Sequence, residues 1–343
     1  MKKELNEVEQ MNYDTFFANV AKLRLSSSAL KLLLDNPKLY YNDYVLGNKE
    51  VVKAKHFDEG SLVHCLVLEP ENINDNFVVM SVATPSDSIK NCLDNLMTLG
   101  KDASELEEYY EEIIAYLKEI NLYQSLVDDK KPNKIGDMFT GDEKRIAKVI
   151  TENSIEYFQL MIEGREKIIV DLKSWDKCLA KAHAVKDSPE ANFLLTGEEI
   201  RFELLLEDAD SNPDIKYGIK GILDAIKIDR ENKTIYISDL KTTNGKLSDF
   251  AKNVETYSYW LQAAIYKALV KQFKTGIAYD YKVVFNFIVV DRDDNVYCFK
   301  VSDESMIDWE VRMKELINTQ VSYHIENKDF VLPYSFANNL ITL

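Results

Sequence analysis

The part of the sequence that most limits the fold is the block from residue 199 to residue 300, where apolar residues recur with a period of two. It contains five such runs: RFELLLED, YGIKGILDAIKID, KTIYISDLKTT, YKVVFNFIVVD and NVYCFKV. This period predicts β-strands, and the short linker at 230–232 predicts that the second and third runs form a hairpin. A helix predicted at 254–272 interrupts the strands, and the helical segment SMIDWEVRMKELIN follows them. The order predicts a mixed α/β core with N-terminal helices packed on it.

The sequence before this block predicts helices. Ser26 is suited to cap a short helix that ends before Pro37, and a second helix is expected over about 58–68, ended by Pro70. Residues 1–24 are polar, and we expect a frayed or lightly docked N-terminal extension. Residues 85–163, with acidic segments such as ELEEYYEEIIAYLKEI and a loop at 130–137, predict a helical insertion. After the loop, EKRIAKVITENSIEYFQLMIEG predicts one further helix.

Composition limits the function classes. Lys and Arg number 42 and Asp and Glu number 58, which gives a formal net charge of −16. This balance is opposite to that of a general nucleic-acid coat, so any path for DNA must be locally basic. The four cysteines form no CxxC pair and indicate reduced core residues. The chain shows no apolar run of about 20 residues and no signal-peptide pattern at its start, so we expect a cytoplasmic protein.

Chemistry is concentrated at the end of one predicted strand. Alternate residues of a strand share a face, so Asp239 and Lys241 emerge together beyond a buried apolar stretch. A carboxylate beside an ammonium suits divalent-metal chemistry on a phosphodiester. Asp224, on the other strand of the hairpin, can supply a second carboxylate, and the carbonyl oxygen of Leu240 can supply a further metal ligand.

None of these signals is specific alone, because a D-x-K triplet is common. A second copy of the letters DLK lies at Asp171–Lys173, just before a predicted helix, and we expect that copy not to be catalytic. Gln262 and Tyr266 share one helix face. His64 interrupts an apolar run. Taken alone, such residues are more typical of an amphipathic helix and of a hydrogen-bonded core histidine.

The order of several motifs along the chain is more specific than any one of them. They are LSSSALK from Leu25, NPKLY from Asn36, FDEGSLVHCLVLEP from Phe57, GILD at Gly221, DLKTT at Asp239 and QAAIY at Gln262. In this order they resemble the PD-(D/E)XK nuclease superfamily, and within it the RecE-type (exodeoxyribonuclease VIII-like) exonucleases, which are related to phage lambda exonuclease. The resemblance covers about residues 25–70 and 164–270.

The resemblance implies an α/β fold with the mixed central sheet of the restriction-endonuclease-like core, flanked by helices. It implies a single nuclease domain over 25–335 that contains the helical insertion. The implied site residues are the metal ligands Asp224 and Asp239, the catalytic lysine Lys241, the supporting residues Gln262 and Tyr266, and the auxiliary residues His64 and Glu199, near or on a metal. The implied cofactor is Mg²⁺, with Mn²⁺ as a substitute.

The implied activity is degradation of one strand of linear duplex DNA from its end, 5′ to 3′, in phage-type homologous recombination. Relatives form closed rings around DNA and work beside a single-strand annealing protein, so a ring trimer or tetramer in a bacterial or phage-infected cell is expected. Lys220, Lys246 and Lys252 are candidates for the local DNA path.

Two alternatives stay open at this point. The same metal site would serve a structure-specific or nicking endonuclease, and a non-catalytic recombination scaffold could bind a partner through the acidic helices. An iron–sulfur relative is disfavoured, because only Cys298 follows the core.

Overall fold

The structure is a computed structural model that describes residues 5–49, 58–100, 106–124, 141–207, 213–273 and 280–331. The chain divides into two compact units. The core unit comprises Met1–Lys53, Glu59–Pro70 and Leu179–Leu343, and the helical unit comprises Ala54–Asp58 and Glu71–Cys178. The helical unit contains the predicted insertion and extends beyond it at both ends. The loop predicted at 130–137 lies outside the described residues.

The described residues form eight strands. They are β1 (Arg24–Leu25), β2 (Phe77–Met80), β3 (Ile168–Asp171), β4 (Ile200–Glu207), β5 (Gly218–Asp229), β6 (Thr234–Thr242), β7 (Lys282–Val290) and β8 (Val296–Lys300). The last five correspond to the five runs of period two, and the predicted strands are confirmed there.

The helices connect and flank these strands. They are α1 (Glu7–Ala18), α2 (Ser27–Asp35), α3 (Pro37–Tyr40), α4 (Glu59–Leu68), α5 (Ile73–Asn76), α6 (Asp87–Thr98), α7 (Tyr110–Glu119), α8 (Gly141–Val149), α9 (Glu152–Glu163), α10 (Leu172–Asp187), α11 (Pro189–Leu195), α12 (Phe250–Thr256), α13 (Tyr259–Phe273), α14 (Asp303–Leu316) and α15 (Ser322–Asn327).

The core unit is built on one mixed sheet of order β1-β5-β6-β7-β8, with β4 paired to β5 outside this path. Strands β5 and β6 form the predicted antiparallel hairpin, and β6 runs parallel to β7. A parallel pair needs a long crossover, which the segment containing α12 and α13 supplies. The predicted mixed α/β fold, with a central sheet flanked by helices, is confirmed.

Helix α13 packs tightly on this sheet. Leu261 and Leu269 are fully buried in the same apolar cluster as Phe285 of β7. At Gly221 of β5 a side chain would collide with the helix, because an added Cβ would lie 2.6 Å from Cε1 of Tyr266. The glycine therefore lets α13 approach β5 closely.

Three helix predictions need correction. The helix predicted at 254–272 is broken between α12 and α13, where Ser258 has a φ of 52°. The single helix expected after about residue 142 is split into α8 and α9, because Thr151 caps α9 by accepting a hydrogen bond from the Ser154 amide. The polar N-terminus, expected to be frayed or lightly docked, forms α1 with a capping box between Asn6 and Glu9.

The helical unit has its own small core. Strands β2 and β3 form a parallel pair, and Leu93, Ile113 and Phe158 are fully buried among its helices. All four cysteines of the chain lie in the described part, and no disulfide joins them. No described helix is both long enough and apolar enough to cross a membrane.

Candidate active site

Strands β5 and β6 place two carboxylates opposite each other. Ala225 pairs with Ser238 in the antiparallel register, so the next position brings Asp224 opposite Asp239. The Leu240 amide donates a hydrogen bond to Oδ2 of Asp224 over 2.8 Å. The predicted juxtaposition of these residues is therefore a consequence of the hairpin register.

Helix α4 brings a histidine to the same place. Nε2 of His64 lies 2.6 Å from the carbonyl oxygen of Leu240 and 3.5 Å from Oδ2 of Asp224. Although His64 sits in an apolar helix, it faces these polar groups. The contact joins a segment near residue 60 to the hairpin near residue 230, so distant parts of the sequence meet here.

A third carboxylate comes from β4, at a position that the sequence did not single out. The pairs Phe202–Ala225 and Leu204–Leu223 leave Glu203 opposite Asp224. Oε1 of Glu203 lies 4.0 Å from Nδ1 of His64. Ligand atoms of His64, Glu203 and Asp224 all lie within 4.8 Å of one another. This is the spacing of side chains that can share one cation.

The backbone at Glu203 is unusual for a strand. Its φ is 46°, in the left-handed region that non-glycine residues rarely adopt. Such a conformation costs on the order of 1–3 kcal/mol and is commonly held at functional sites. The strained residue of β4 is the one that carries a carboxylate to the cluster.

Glu199, expected to lie near the metal, does not join this cluster. Its carboxylate pairs with Arg230, with 2.8 Å between Oε2 and Nη2, and the hydrogen bond from Arg230 lowers the pKa of Glu199. Its carbonyl oxygen accepts from the amide of Ile228, at the turn end of the hairpin. Glu203 lies four positions after Glu199, which is about 13 Å along an extended strand. The auxiliary metal role of Glu199 therefore stays a prediction, and Glu203 is the glutamate that the fold brings to His64 and Asp224.

Asp239 and Lys241 form a close pair at the end of β6. Asp239 is fully buried, and its Oδ2 lies 2.6 Å from Nζ of Lys241. Oδ1 of Asp239 has no hydrogen-bond partner among the described residues. A buried carboxylate oxygen without a partner is costly, and a bound cation would satisfy it.

These groups fit a hard divalent cation. Ligand atoms of Glu203, Asp224 and His64 share one position, and the Asp239 carboxylate and the Leu240 carbonyl lie beside this group. Oxygen donors of this kind suit Mg²⁺ and Mn²⁺. The donors are Glu203, Asp224, Asp239, the Leu240 carbonyl and His64. Sequence reasoning identified all of them except Glu203.

Several charged groups of the site are buried close together, and this shifts their pKa values. Burial, together with the nearby charge of Asp239, raises the pKa of Asp224 to about 7. Burial alone would lower the pKa of His64, but the carboxylates of Glu203 and Asp224 outweigh it and raise that pKa to about 9. Burial also opposes the charge of Lys241, yet Asp239 and Asp224 raise its pKa. A cation at this position would relieve the excess of negative charge.

Helix α13 lines the cluster with polar and aromatic groups. Nε2 of Gln262 donates to the hydroxyl oxygen of Tyr266 over 2.9 Å. Tyr266 is buried, and both burial and the charge of Asp239 raise its pKa. The ring centroid of Tyr259 lies 5.0 Å from Nζ of Lys241. The charges of Asp239, Asp224 and Glu203 all raise the pKa of Tyr266, so the predicted pair on α13 lies near the carboxylates.

The three candidate DNA-binding lysines lie on the same unit. Lys220 of β5 is opposite Glu207 in the register, while Lys246 and Lys252 are exposed in the segment that follows β6. Their contact with DNA stays a prediction.

The comparison with protein families agrees with this arrangement. The model of the PD-(D/E)XK nuclease superfamily matches residues 24–288, more than three quarters of the chain. A protein from Eubacterium rectale, titled as a proposed exonuclease, is 12% identical with a TM-score of 0.43, and the match covers 99% of this chain and 96% of that one. The protein SSO0001 is 15% identical with a TM-score of 0.22, over 68% of this chain and 85% of that one. No curated protein matches significantly. Because the family match covers most of the chain and every residue of the candidate metal site, the chain belongs to the PD-(D/E)XK nuclease superfamily.

Proposed function

We propose that the protein is a divalent-metal-dependent exodeoxyribonuclease that degrades one strand of linear duplex DNA from its end, 5′ to 3′. The observation that carries the nuclease chemistry is the meeting of Glu203, Asp224 and Asp239 with Lys241 and His64 at one end of the hairpin. Mg²⁺ is the proposed cation, with Mn²⁺ as a substitute.

The residues would divide the work as follows. Asp224, Asp239, Glu203, His64 and the Leu240 carbonyl would hold the cation. When bound, a divalent cation lowers the pKa of a coordinated water and offsets charge on the phosphodiester.

Lys241 would act as a cation and hydrogen-bond donor. Its pKa is raised, so it keeps its proton at neutral pH and is unsuited to be the base. The ion pair with Asp239 fixes the ammonium beside the carboxylates, where it can orient the water or stabilise negative charge that develops on the phosphate.

Gln262 and Tyr266 would hold the scissile strand. The hydrogen bond between them fixes the Tyr266 hydroxyl group, and the raised pKa of Tyr266 keeps that group a neutral donor. Such a donor can bind a phosphate oxygen without competing for the cation.

End dependence, polarity and biological role rest on the motif resemblance to RecE-type exonucleases. On that basis we propose a role in homologous recombination of the phage type, with a single-strand annealing protein as partner and a ring-shaped homo-oligomer as the active form.

The test compares a linear duplex with a covalently closed circle, each with Mg²⁺ and with EDTA. The wild type is run beside Lys241→Ala, with Lys173→Ala of the second DLK copy as a matched control. Loss of the linear DNA only, in Mg²⁺ only, by the wild type and the control but not by Lys241→Ala, supports the proposal. Cutting of the circle would show that the protein is an endonuclease. If the folded wild type cleaved neither DNA, a non-catalytic recombination scaffold would be favoured instead.

Polarity is tested with the same linear duplex carrying a label at either the 5′ or the 3′ end. We expect the 5′ label to be released early, in a short product. Early release of the 3′ label would reverse the assigned direction.

A further inference from the structure

A second lysine reaches the active site from a different element. Lys31 lies on α2, and its Nζ is 5.5 Å from the ring centroid of Tyr259. Nζ of Lys241 lies 5.0 Å from the same centroid. Two ammonium groups from distant parts of the sequence therefore share one aromatic ring, beside the buried Asp239.

The two lysines differ in their partners. Lys241 is paired with Asp239 at 2.6 Å, whereas no described residue forms an ion pair or a hydrogen bond with Lys31. Lys31 is nevertheless only partly exposed. Burial and the positive charge of Lys241 lower the pKa of Lys31, and Asp239 and Asp35 offset only part of that effect.

This arrangement is unfavourable in the protein without a ligand. A partly buried ammonium that lacks a carboxylate partner and faces a second ammonium raises the free energy of the folded state. An aromatic ring attracts cations, but it does not neutralise their charge. The missing component is an anion, and the anion of a nuclease site is a phosphate of the nucleic-acid backbone.

We propose that Lys31 is a phosphate-binding residue of the active site, which contacts the backbone of the cleaved strand beside Lys241, with Tyr259 as the surface common to both ammonium groups. This inference rests on the proposed nuclease function. It gives α2 a role in substrate binding, in addition to its role in the core.

The first test measures cleavage of a linear duplex by Lys31→Met, which keeps most of the length of the side chain and removes its charge. We expect KM to rise about tenfold, the effect of losing one charged contact, with a smaller change in kcat. Lys31→Arg should restore most of the affinity. Lys38→Met, at an exposed lysine one turn beyond α2, is the matched control and should behave like the wild type.

The second test measures the salt dependence of duplex binding in EDTA, where no cleavage occurs. Each phosphate contact contributes about 0.9 to the slope of log affinity against log salt concentration. Lys31→Met should reduce the slope by about that amount, and Lys38→Met should leave it unchanged.

The third measurement separates binding from a structural role. Without DNA, Lys31→Met should have a Tm equal to or above that of the wild type, because an unpaired charge is removed. A lower Tm together with an unchanged KM and salt slope would show that Lys31 is structural and would overturn the inference. If the wild type cleaves DNA and Lys31→Met matches it in KM and slope, the inference fails while the proposed function stands. If the wild type neither binds nor cleaves DNA, both fail.

Discussion

The letters Asp-Leu-Lys occur twice in this chain, in two settings that share almost nothing. At 171–173 the aspartate ends β3, and its Oδ1 accepts a hydrogen bond from the Ser174 amide over 3.0 Å, at the start of α10. At 239–241 the aspartate is fully buried, and its partner is the lysine two residues later. The same triplet caps a helix in one place and lines a candidate metal centre in the other.

The neighbouring strands account for the difference. Strand β6 lies between β5 and β7, and β5 carries Asp224 to the position opposite Asp239. Strand β3 pairs with β2, where Met80 stands opposite Asp171. A D-x-K triplet therefore becomes a site only where a second strand brings another carboxylate to it.

The largest effect is expected from removing Lys241, with removal of Lys173 from the other copy as the control. Lys241→Ala should lower the cleavage rate at least about a hundredfold, because a positioned charge at the phosphate is lost. Lys173→Ala should stay within about twofold of the wild type. The rate of loss of a linear duplex in Mg²⁺ measures both. Equal losses of cleavage rate in the two variants would show that the two copies do not differ in catalytic role.

The next effect concerns the two glutamates of the β4 region. Glu203→Gln should weaken Mn²⁺ binding roughly tenfold or more, since it removes one charged oxygen donor from the cluster. Glu199→Gln, which breaks only the exposed pair with Arg230, should leave binding unchanged. Calorimetric titration with Mn²⁺ measures the affinity of both variants. If Glu199→Gln weakened binding and Glu203→Gln did not, Glu199 would be the ligand.

The carboxylates of the cluster should also make metal binding depend on pH. Because the pKa of Asp224 is raised to about 7 and that of His64 to about 9, protons occupy both groups as pH falls through neutral and compete with the cation. Mg²⁺ binding should therefore weaken as pH falls through about 7, and the rise in Tm that Mg²⁺ produces should be larger at pH 8 than at pH 6. A rise in Tm independent of pH over this range would argue against Asp224 as a ligand.

A smaller effect is expected where α13 meets the sheet. Gly221→Ala should lower the free energy of unfolding by roughly 1–3 kcal/mol, because the new methyl group collides with Tyr266. Gly245→Ala is the control, since its Cβ would meet only Oγ1 of Thr243 at 3.5 Å. Urea denaturation measures both variants. Equal stability would mean that α13 can shift without cost.

The smallest effect is expected from Asp171→Ala. It removes the cap of α10 and should lower Tm slightly while cleavage stays unchanged. A clear loss of cleavage at unchanged Tm would contradict the assignment of this residue to a helix start.

Local patterns predicted the sheet because each strand carries its own period of two. They also identified His64, Asp224, Asp239 and Lys241, which the structure brings together. Glu203 was missed because its place depends on the register between β4 and β5 and on a φ of 46°. Glu199 and Glu203 are four positions apart, so the alternation of a strand places both on the same face. Only their positions along the strand, about 13 Å apart, determine which of them reaches the cluster.

Other differences have similar physical causes. The residues of the capping box, Asn6 and Glu9, are consistent with a helix start. The segment that follows them is polar and has little apolar periodicity, so the sequence did not predict α1. The break before α13 depends on the left-handed backbone of Ser258, which nothing in the local sequence requires. Lys31 looked like an ordinary helix lysine, and only the fold brings it to Tyr259.

The most direct test of the metal centre is anomalous diffraction from crystals soaked in Mn²⁺. We predict a peak within ligand distance of the Asp224 and Glu203 carboxylates, and none beside Asp171 or Glu199. A peak at Glu199, or no peak at Asp224 in crystals of protein that cleaves DNA with Mn²⁺, would contradict this prediction.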